Sequence, residues 1–397
     1  MSPALPLQGL LVADFTRVLA GPYATMMFGD LGADVVKIEN PRGGDDTRSW
    51  GPPFAAGEAT YFQSVNRNKR SLAADLRDPA SLRRVRELLR RADVLIENFR
   101  PGTMGTFGLS YDEVAAINPR LVYCSITGFG SGKGAALPGY DLLVQAVGGL
   151  MSITGPAPDQ PVKVGVALVD VLTGLHAAIG VLAALRARES SGRGQLVEVN
   201  LLSTLLSSLV NQGAGYTAAG VVPEILGNRH PSIAPYEVFP TMDRPLVVAV
   251  GNDRQFAALC AGLELPDLPG DRRFATNTER VAHVDDLACL LTNRLITRSA
   301  AHWSAVLAPL GVPCGPVNDV AGAFDLAETL GLTPTLQAGE GPDAVTLPAN
   351  PIGLNGTCVQ SAARPPRLGE HTAELAEWLD PRHPEPSPVR PASRSTP

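Results

Sequence analysis

A single carboxylate, Asp170, interrupts an aliphatic run directly before a segment that has apolar residues at helical spacing. The run reads Val164-Gly-Val-Ala-Leu-Val-Asp170-Val-Leu-Thr173-Gly174-Leu-His176. A lone acid among aliphatic side chains is costly to bury unless it is paired or used. Asp170 is therefore a candidate for a fixed carboxylate nucleophile that attacks an activated carbonyl group.

The elements around Asp170 follow from the pattern of apolar residues. Residues 162–171 are rich in β-branched side chains, as a buried strand is, and residues 172–188 have helical spacing. Asp170 is thus predicted at a strand-to-helix junction. There it would also serve as an N-cap, and the two roles are compatible. Because backbone donors and the helix dipole favour a charged carboxylate, we expect Asp170 to be ionised near neutral pH.

The composition is typical of a compact globular protein. Hydrophobic residues make up 45% of the 397 residues and charged residues 18%, which argues against a disordered or fibrous chain. A net charge of −6 disfavours a nucleic-acid partner, which would require a basic surface. The chain has neither an uninterrupted apolar run of about 18 residues nor a signal peptide, so we expect a cytoplasmic protein with no membrane partner.

The sequence has no motif that predicts a metal or a nucleotide cofactor. The cysteines are odd in number and form no C-x-x-C pair, so they predict neither a disulfide framework nor a zinc site. The glycine-rich residues 128–134 are one residue short of a phosphate loop, and no Ser or Thr follows Lys133. No G-x-S-x-G or H-E-x-x-H motif occurs. The five cysteines are Cys124, Cys260, Cys289, Cys314 and Cys358.

The first two hundred residues alternate between predicted strands and helices. A helix is predicted to begin at Gly21-Pro22, with proline in its first turn. The alternation predicts an α/β fold with a parallel sheet covered by helices. The other predicted helices cover residues 79–91, 111–117, 141–151 and 201–212. The predicted strands cover residues 10–15, 33–39, 93–99, 121–126 and 195–200.

The pattern changes near residue 213, which predicts a second domain. Residues 236–315 have a strand-turn-strand signal followed by two or three helices, which is typical of a smaller α+β domain. The terminal helix at residues 370–379 is too small to form its own core. We therefore predict a large domain at 1–213, a crossover linker at 214–235, the small domain at 236–315, a return to the large domain at 316–380, and a disordered tail at 381–397.

Several motifs occur in a fixed order along roughly residues 7–380. They are Asp14-Phe-Thr-Arg17-Val-Leu-Ala-Gly-Pro22, Gly32-Ala-Asp-Val-Val-Lys-Ile-Glu39, Gly44-Asp-Asp-Thr-Arg48, Asn66-Arg-Asn-Lys-Arg-Ser71, Glu97-Asn-Phe-Arg-Pro-Gly102, Asp170-Val-Leu-Thr-Gly174, Gly192-Arg-Gly-Gln195 and Leu368-Gly-Glu-His-Thr372. Together they resemble the family III CoA-transferases, the CaiB/BaiF family. The resemblance implies an interlocked homodimer, in which a large Rossmann-like domain is built from both chain ends and a small domain lies between them.

The resemblance also implies a mechanism in which Asp170 is the nucleophile. An acyl-CoA thioester would be converted to an aspartyl anhydride and then to an aspartyl-CoA thioester, from which an acceptor carboxylate takes the CoA. Exchange of a thioester between two carboxylates is nearly isoenergetic, so no cofactor beyond the CoA substrate is expected. Because anhydrides hydrolyse readily, the aliphatic residues 166–169 and 171–172 are expected to exclude water.

Contacts with CoA are implied at positions that match the family. Val18, Leu19 and Ala20 occupy the first strand-to-helix loop. Arg77 and Arg100 would contact the phosphates of CoA, since guanidinium groups are good partners for phosphates. Both arginines equally suit a solvated surface, and Phe99 equally suits the core. The other implied CoA positions are Arg77, Asn98, Phe99, Arg100 and Tyr140.

Within the family, the chain resembles the branch that moves CoA from succinyl-CoA to glutarate. Shared motifs include Trp50-Gly-Pro-Pro-Phe54, Cys124-Ser-Ile-Thr-Gly128 and Gly251-Asn252. This resemblance implies a dicarboxylate acceptor, whose distal carboxylate needs a cation. The candidates are Arg48, Arg229 and His230, although Arg48 equally suits a salt bridge within its loop.

Two departures from related branches bear on the reaction. The formyl-CoA:oxalate branch has Gln where this chain has Leu19, and glycines within residues 227–236, so those substrates are disfavoured. The racemase branch has His at the position of Tyr140, and tyrosine side chains are poor bases near neutral pH. A 2-methylacyl-CoA racemase and a non-catalytic acyl-CoA-binding homologue stay open as alternatives.

Overall fold

The computed structural model describes residues 5–354, 357–358 and 361–380, which form two compact units. Unit 1 comprises the described residues within Met1–Leu150, Val164–Val221 and Gly331–Pro397, so it is built from both ends of the chain. Unit 2 comprises Met151–Lys163 and Val222–Leu330. The predicted tail at residues 381–397 lies outside the described residues.

Strands and helices alternate along the first part of the chain, as the sequence predicts. The strands are β1 Leu11–Asp14, β2 Asp34–Glu39, β3 Phe54–Ala55, β4 Glu58–Ala59, β5 Lys69–Ala73, β6 Val94–Glu97, β7 Val122–Thr127, β8 Leu196–Asn200, β9 Tyr236–Phe239, β10 Leu246–Ala249, β11 Cys314–Pro316, β12 Thr335–Ala338, β13 Val345–Pro348, β14 Gly353–Leu354, β15 Thr357–Cys358 and β16 Ser361–Ala362. The helices are α1 Ala20–Asp30, α2 Thr60–Ser64, α3 Pro79–Arg91, α4 Tyr111–Ile117, α5 Asp141–Val147, α6 Leu168–Ser191, α7 Leu201–Ser208, α8 Val210–Ala219, α9 Asp253–Gly262, α10 Asn277–Ala282, α11 Val284–Leu295, α12 Ala300–Leu307, α13 Val320–Thr329 and α14 Thr372–Trp378.

The main sheet of unit 1 has six parallel strands in the order β5-β2-β1-β6-β7-β8. This is the doubly wound order of Rossmann-like folds, in which the chain reverses its direction of winding between the first and fourth strands. Ligands bind such sheets at the carboxyl edge beside that reversal. The reversal lies between β1 and β6, so the loops after these two strands are where a ligand is expected.

Strand β5 forms one edge of this sheet and was not among the strands predicted from the sequence. The strand begins with Lys69 and Arg70, and charged residues are unusual in a buried strand. Both side chains are buried because carboxylates meet them: Lys69 contacts Asp14, and Arg70 contacts Asp34. The two charged residues at the start of β5 hid the strand, because the carboxylates that neutralise them lie far away in the sequence.

Helices cover both faces of the sheet, each with its own apolar core. On one face, α3, α4 and α14 contribute Val85, Val114 and Leu375. On the other face, α1 and α6 contribute Phe28 and Val181, together with residues of α5 and α7. The short terminal helix α14 therefore completes the core of unit 1, as the sequence analysis requires of a helix too small to form a core alone.

Helix α6 begins where a strand was predicted at residues 162–171, and that prediction is wrong. The buried residues of α6 recur every three or four positions, which is the spacing of one helical face rather than the alternation of a strand. By length and hydropathy, α6 is the one helix of the described residues that would fit a membrane span, a criterion that core helices also meet. Its buried face is Val169, Thr173, Gly174, Ala177, Ala178, Val181 and Ala184.

Unit 2 is an α+β arrangement around a small antiparallel sheet. The strand order is β11-β10-β9, and helices α9, α11 and α12 pack their apolar residues into one core with these strands. The unit boundaries differ from the predicted ones, since α8 belongs to unit 1 and α13 to unit 2. The return of the chain to unit 1 therefore lies at Gly331, rather than at residue 316.

A buried ion pair ties the C-terminal segment of unit 1 to its N-terminal segment. The Arg67 guanidinium donates to both oxygens of Asp30, at 2.8 and 2.6 Å, and to the carbonyl of Pro348 at 3.0 Å. Asn350 donates to the same carboxylate at 3.0 Å. Both charged side chains are almost completely buried, so loss of one would leave the other uncompensated.

We predict that Arg67→Met lowers the free energy of unfolding by about 3–5 kcal/mol, because Asp30 is left buried without its charge partner. Urea unfolding followed by circular dichroism measures this loss. The control is Arg186→Met, which removes an exposed pair with Glu189 and should change stability by less than about 1 kcal/mol. Equal effects of the two substitutions would contradict the prediction.

Candidate active site

Asp170 lies in the first turn of α6, two residues after the first residue of the helix. It is not the N-cap, since Ala167 holds that position and makes no side-chain cap. The cap comes from another helix: Asp141 Oδ1 accepts hydrogen bonds from the backbone N–H of Val169 at 2.8 Å and of Asp170 at 3.3 Å. The N-cap interpretation of Asp170 is therefore wrong, and the role belongs to Asp141.

Asp141 is itself held by Gln145, one turn later on α5. The Gln145 amide donates to Asp141 Oδ2 at 2.5 Å, and its oxygen accepts from the N–H of Val164 at 2.9 Å. Gln145 is fully buried. The segment that leads into α6 is thus attached to α5 both before the helix and in its first turn.

Burial, and secondarily the charge of Asp141, raise the pKa of Asp170 to about 7. The carboxyl group is therefore divided between its two forms at neutral pH, and the expectation of full ionisation there is wrong. The physical reason is that burial, the larger cause, and the nearby charge of Asp141 both disfavour the charged form, while the first-turn N–H groups donate to Asp141.

Tyr61 is a neighbour of Asp170 that the sequence analysis missed. Burial, followed by the charges of Asp170, Asp141 and Asp45, raises the pKa of Tyr61 to about 12. Its hydroxyl therefore stays protonated and lies in the field of Asp170. The edge-to-face contact with Trp50, at 5.4 Å between ring centroids, orients the Tyr61 ring.

The first strand-to-helix loop lies close to the start of α6. A Cβ on Gly174 would come within 2.5 Å of the Ala20 carbonyl oxygen, so only glycine permits this approach. Gly174 lies one helical turn after Asp170. The predicted CoA residues Val18, Leu19 and Ala20 are therefore brought beside the helix that holds the nucleophile candidate.

Two side chains hold this loop in a backbone conformation that valine rarely adopts. Val18 has φ = 69°, in the left-handed region that is strained for a β-branched residue. Its N–H donates to Asp45 at 3.2 Å. Asn98 accepts from the N–H of Arg17 at 2.9 Å and donates to its carbonyl at 2.7 Å. Asn98, predicted as a CoA position, thus also fixes the loop.

A cavity of about 590 Å³ opens at the carboxyl edge of the sheet, beside the reversal between β1 and β6. Arg77 and Phe99, two of the predicted CoA residues, line it. Arg100 and Tyr140 are exposed and do not line it. The charged side chains along its wall are Arg17, Lys37, Glu39, Arg42, Asp45, Asp46, Asp75 and Arg77.

The three candidates for binding a distal carboxylate belong to two units, with Arg48 in unit 1 and the other two in unit 2. The Arg48 guanidinium is bound by Glu39 at 2.8 Å and by Glu58 at 3.5 Å. It also stacks on a phenylalanine ring, so its contacts favour the salt-bridge alternative. Arg229 and His230 belong to unit 2, where Arg229 pairs with two carboxylates and His230 packs against a tyrosine ring.

The described residues contain no cluster of three or more His, Cys, Asp or Glu side chains suited to a metal ion. The four cysteines whose side chains are described, Cys124, Cys260, Cys289 and Cys314, are free. The absence of a metal or nucleotide requirement stays a prediction, which activity measurements in the presence of a chelator would test.

We predict that Asp170→Asn stabilises the protein more at pH 8.5 than at pH 5. A carboxyl group with a pKa raised from 3.8 to about 7 disfavours folding increasingly as pH rises through this interval, and the amide does not. The gain should grow by roughly 2 kcal/mol between these pH values. Urea unfolding of both proteins measures it. A gain that is independent of pH, or that also occurs for the exposed Asp159→Asn, would contradict the prediction.

Comparison with known proteins identifies the family. The model of CoA-transferase family III matches residues 7–372. A succinate–glutarate CoA-transferase of Agrobacterium fabrum is 42% identical over 386 residues, which cover 94% of this chain and 96% of that protein. An acetyl-CoA:oxalate CoA-transferase of Acetobacter aceti is 42% identical over 356 residues, which cover 89% of this chain and 90% of that protein.

A solved structure leads to the same family. The crystal structure of a CaiB/BaiF family protein from Brucella suis has a TM-score of 0.85 and 41% sequence identity, and the match covers 95% of this chain and 100% of that chain. Family match, sequence identity and fold agree over nearly the whole length. This chain belongs to CoA-transferase family III.

Proposed function

We propose that this CoA-transferase moves CoA from succinyl-CoA to glutarate or a similar dicarboxylate, with Asp170 as the nucleophile. The observation that carries the proposal is a half-buried carboxyl group with a raised pKa in the first turn of α6, beside the loop that reaches the cavity. The relative from Agrobacterium fabrum, which is named for succinate and glutarate, supports the choice of substrates.

The proposed reaction begins when the Asp170 carboxylate attacks the thioester carbonyl of succinyl-CoA. CoA thiolate leaves, and an anhydride joins Asp170 to the succinyl group. The thiolate then attacks the Asp170 carbonyl carbon, which releases succinate and leaves an aspartyl-CoA thioester. Attack by glutarate on this thioester forms a second anhydride, and the returning thiolate takes the glutaryl group to give glutaryl-CoA and free Asp170.

The environment of Asp170 suits this chemistry. A carboxylate whose pKa lies near 7 is more basic than an ordinary aspartate, and a more basic carboxylate is the better nucleophile toward a thioester. The partial burial of Asp170 also limits the access of water to the anhydrides. Val169 is buried, but Val166, which was expected to help exclude water, is 54% exposed, so further shielding has to come from substrate or from a second chain.

The cavity beside β1 and β6 suits the nucleotide part of CoA. It lies at the point of the sheet where Rossmann-like folds bind nucleotides. Arg17, Arg42 and Arg77 supply guanidinium groups, which form charge-assisted hydrogen bonds with phosphates. The aromatic ring of Phe99 offers a surface for the base. The pantetheine arm would then extend from the cavity toward Asp170 along the residue 18–20 loop.

We also propose that the protein is an interlocked homodimer. Several large apolar side chains of unit 1 are exposed in the single chain, and apolar surface of this kind is typical of a subunit interface. A partner subunit that covered this surface would also account for the exposure of Val166. The side chains are Val147 at 60%, Ile179 at 65%, Val210 at 72% and Tyr216 at 59% exposure. A cytoplasmic location without nucleic-acid or membrane partners stays a prediction.

We predict that wild-type protein transfers CoA from succinyl-CoA to glutarate and forms a covalent adduct, whereas Asp170→Ala does neither. Product analysis with a panel of acids that includes oxalate, together with intact-protein mass spectrometry, measures both. Asp112→Ala, in the exposed first turn of α4, is the control and should behave as wild type.

Three results would contradict parts of this proposal. Preference for oxalate over every longer dicarboxylate would overturn the choice of acceptor. Incorporation of solvent deuterium at the α-carbon of a 2-methylacyl-CoA, without transfer, would indicate a racemase. Tight binding of CoA with no turnover on any acid would indicate a non-catalytic homologue.

We predict that Arg77→Ala raises the KM for succinyl-CoA about tenfold and changes kcat less than twofold, because the lost contact is made to phosphate and not to reacting atoms. The KM for succinyl-N-acetylcysteamine, a thioester without the nucleotide, should not change. Arg83→Ala, an exposed arginine of α3 that does not line the cavity, is the matched control. Equal effects of Arg77→Ala on both thioesters would argue against a nucleotide contact.

A further inference from the structure

The first turn of α6 depends on a side chain that belongs to a different helix. The residues directly before α6, Val166 and Ala167, have no side-chain acceptor for its free N–H groups. Asp141, 28 residues before Val169 in the sequence, supplies that acceptor to two consecutive N–H groups, one of which is that of Asp170 itself. The position of the nucleophile backbone is thus set from α5.

The Asp141 carboxylate is fixed on its other side as well. Its second oxygen accepts from the buried Gln145 amide, whose oxygen holds the N–H of Val164. A rotation of Asp141 would therefore break contacts with both the α6 turn and Gln145. Such a doubly held carboxylate keeps the α6 terminus in place with less freedom than a local serine or threonine cap would allow.

We propose that Asp141 is a positioning residue for CoA transfer: it holds the Asp170 backbone through two hydrogen bonds and places a second negative charge beside the nucleophile. This inference rests on the proposed function. Asp141 acts through Asp170 and takes no part in forming or breaking bonds with substrate. Its two effects, on the geometry of Asp170 and on its charge, are separable by substitution.

The charge effect has a defined direction. Burial first, and Asp141 second, raise the pKa of Asp170, so a neutral residue at position 141 removes the second cause and lowers that pKa. Near Asp170, Tyr61 of α2 is neutral at these pH values because its pKa is about 12. Helix α7, packed on α6, has no titratable residue. Other titratable residues of α6 and of the elements packed on it are Tyr23 and Asp30 of α1, Tyr123 and Cys124 of β7, Glu198 of β8, and His176, Arg186, Arg188 and Glu189 of α6.

Two substitutions of Asp141 separate the effects. Asp141→Asn keeps an oxygen acceptor for the α6 turn, removes the charge, and replaces the acceptor of the Gln145 amide with an NH2 donor. Because the charge is lost, the acidic limb of the kcat/KM profile should move from near pH 7 to lower pH by roughly one unit. Its kcat at pH 8.5 should stay within tenfold of wild type. Asp141→Ala also removes the acceptor, so its kcat should fall about 10²–10³-fold at every pH, with the KM for succinyl-CoA within threefold.

The control is Asp319→Ala, which removes the aspartate cap of another helix, α13. Asp319 accepts from the N–H of Gly322 at 2.8 Å, so its loss costs a comparable cap but should leave kcat and the pH profile unchanged. Circular dichroism checks that each variant is folded. If Asp141→Ala does not fold, Asp141→Asn still decides the question, because a general loss of structure would not shift the pH profile downward.

The results distinguish this inference from the proposed function. An unchanged pH profile in Asp141→Asn, or a kcat of Asp141→Ala within threefold of wild type, would overturn the positioning role while Asp170→Ala stays inactive. If wild type itself transfers no CoA and forms no adduct, the proposed function fails instead. A downward shift in Asp141→Asn, together with a loss of kcat in Asp141→Ala, supports the inference.

Discussion

The carboxyl edge of the sheet depends on two buried lysine–aspartate pairs. Lys69 donates to Asp14 at 3.0 Å and Lys37 to Asp45 at 2.9 Å, and all four side chains are shielded from solvent. Burial raises the pKa of Asp14, yet the two lysines together with hydrogen bonds from Thr16 and Thr25 outweigh it and hold the value at about 2, so the carboxylate stays charged. Burial lowers the pKa of Lys69 to about 8 against the attraction of Asp14. Asp45 also holds the N–H of Val18, so this charge network fixes the loop after β1.

The Asp170 side of the site uses the same principle. A carboxylate from elsewhere in the chain, Asp141, holds the backbone at Asp170, as Asp45 holds Val18. Val18 lies just before α1 and Asp170 lies in the first turn of α6, and these two helices approach closely where Gly174 contacts the Ala20 carbonyl. Helices α1 and α6 also share one apolar core, so the loop and Asp170 are held together by this packing and by the close approach at Gly174, which tolerates no Cβ.

The sequence predicts those parts of the fold that depend on local patterns. The helices at residues 79–91 and 111–117 have the predicted bounds, because a proline start or a capping box and apolar spacing are local signals. Strand β5 was missed because the partners that neutralise Lys69 and Arg70 are distant in the sequence. The sequence indicates Asp170 as a candidate because it is isolated among aliphatic residues and belongs to a family motif. Its capping partner Asp141 and its neighbour Tyr61 could not be found, since only the tertiary fold brings them close.

In the proposed reaction, the partial burial that raises the pKa of Asp170 has two opposite effects, a cost in stability and a gain in nucleophilicity. A carboxyl group with an ordinary pKa would favour folding more at neutral pH, but it would be a weaker nucleophile and more exposed to water.

The proposed steps involve only the thioester carbonyl, the Asp170 carboxyl and the reacting carboxylate of the acceptor, so they place no demand on the rest of the acid. Selection between acids must therefore come from groups that contact the distal end. The Arg48 guanidinium is already bound by Glu39 and Glu58. The contact with the distal carboxylate of the acceptor is therefore better sought among side chains whose charges are not already paired within unit 1.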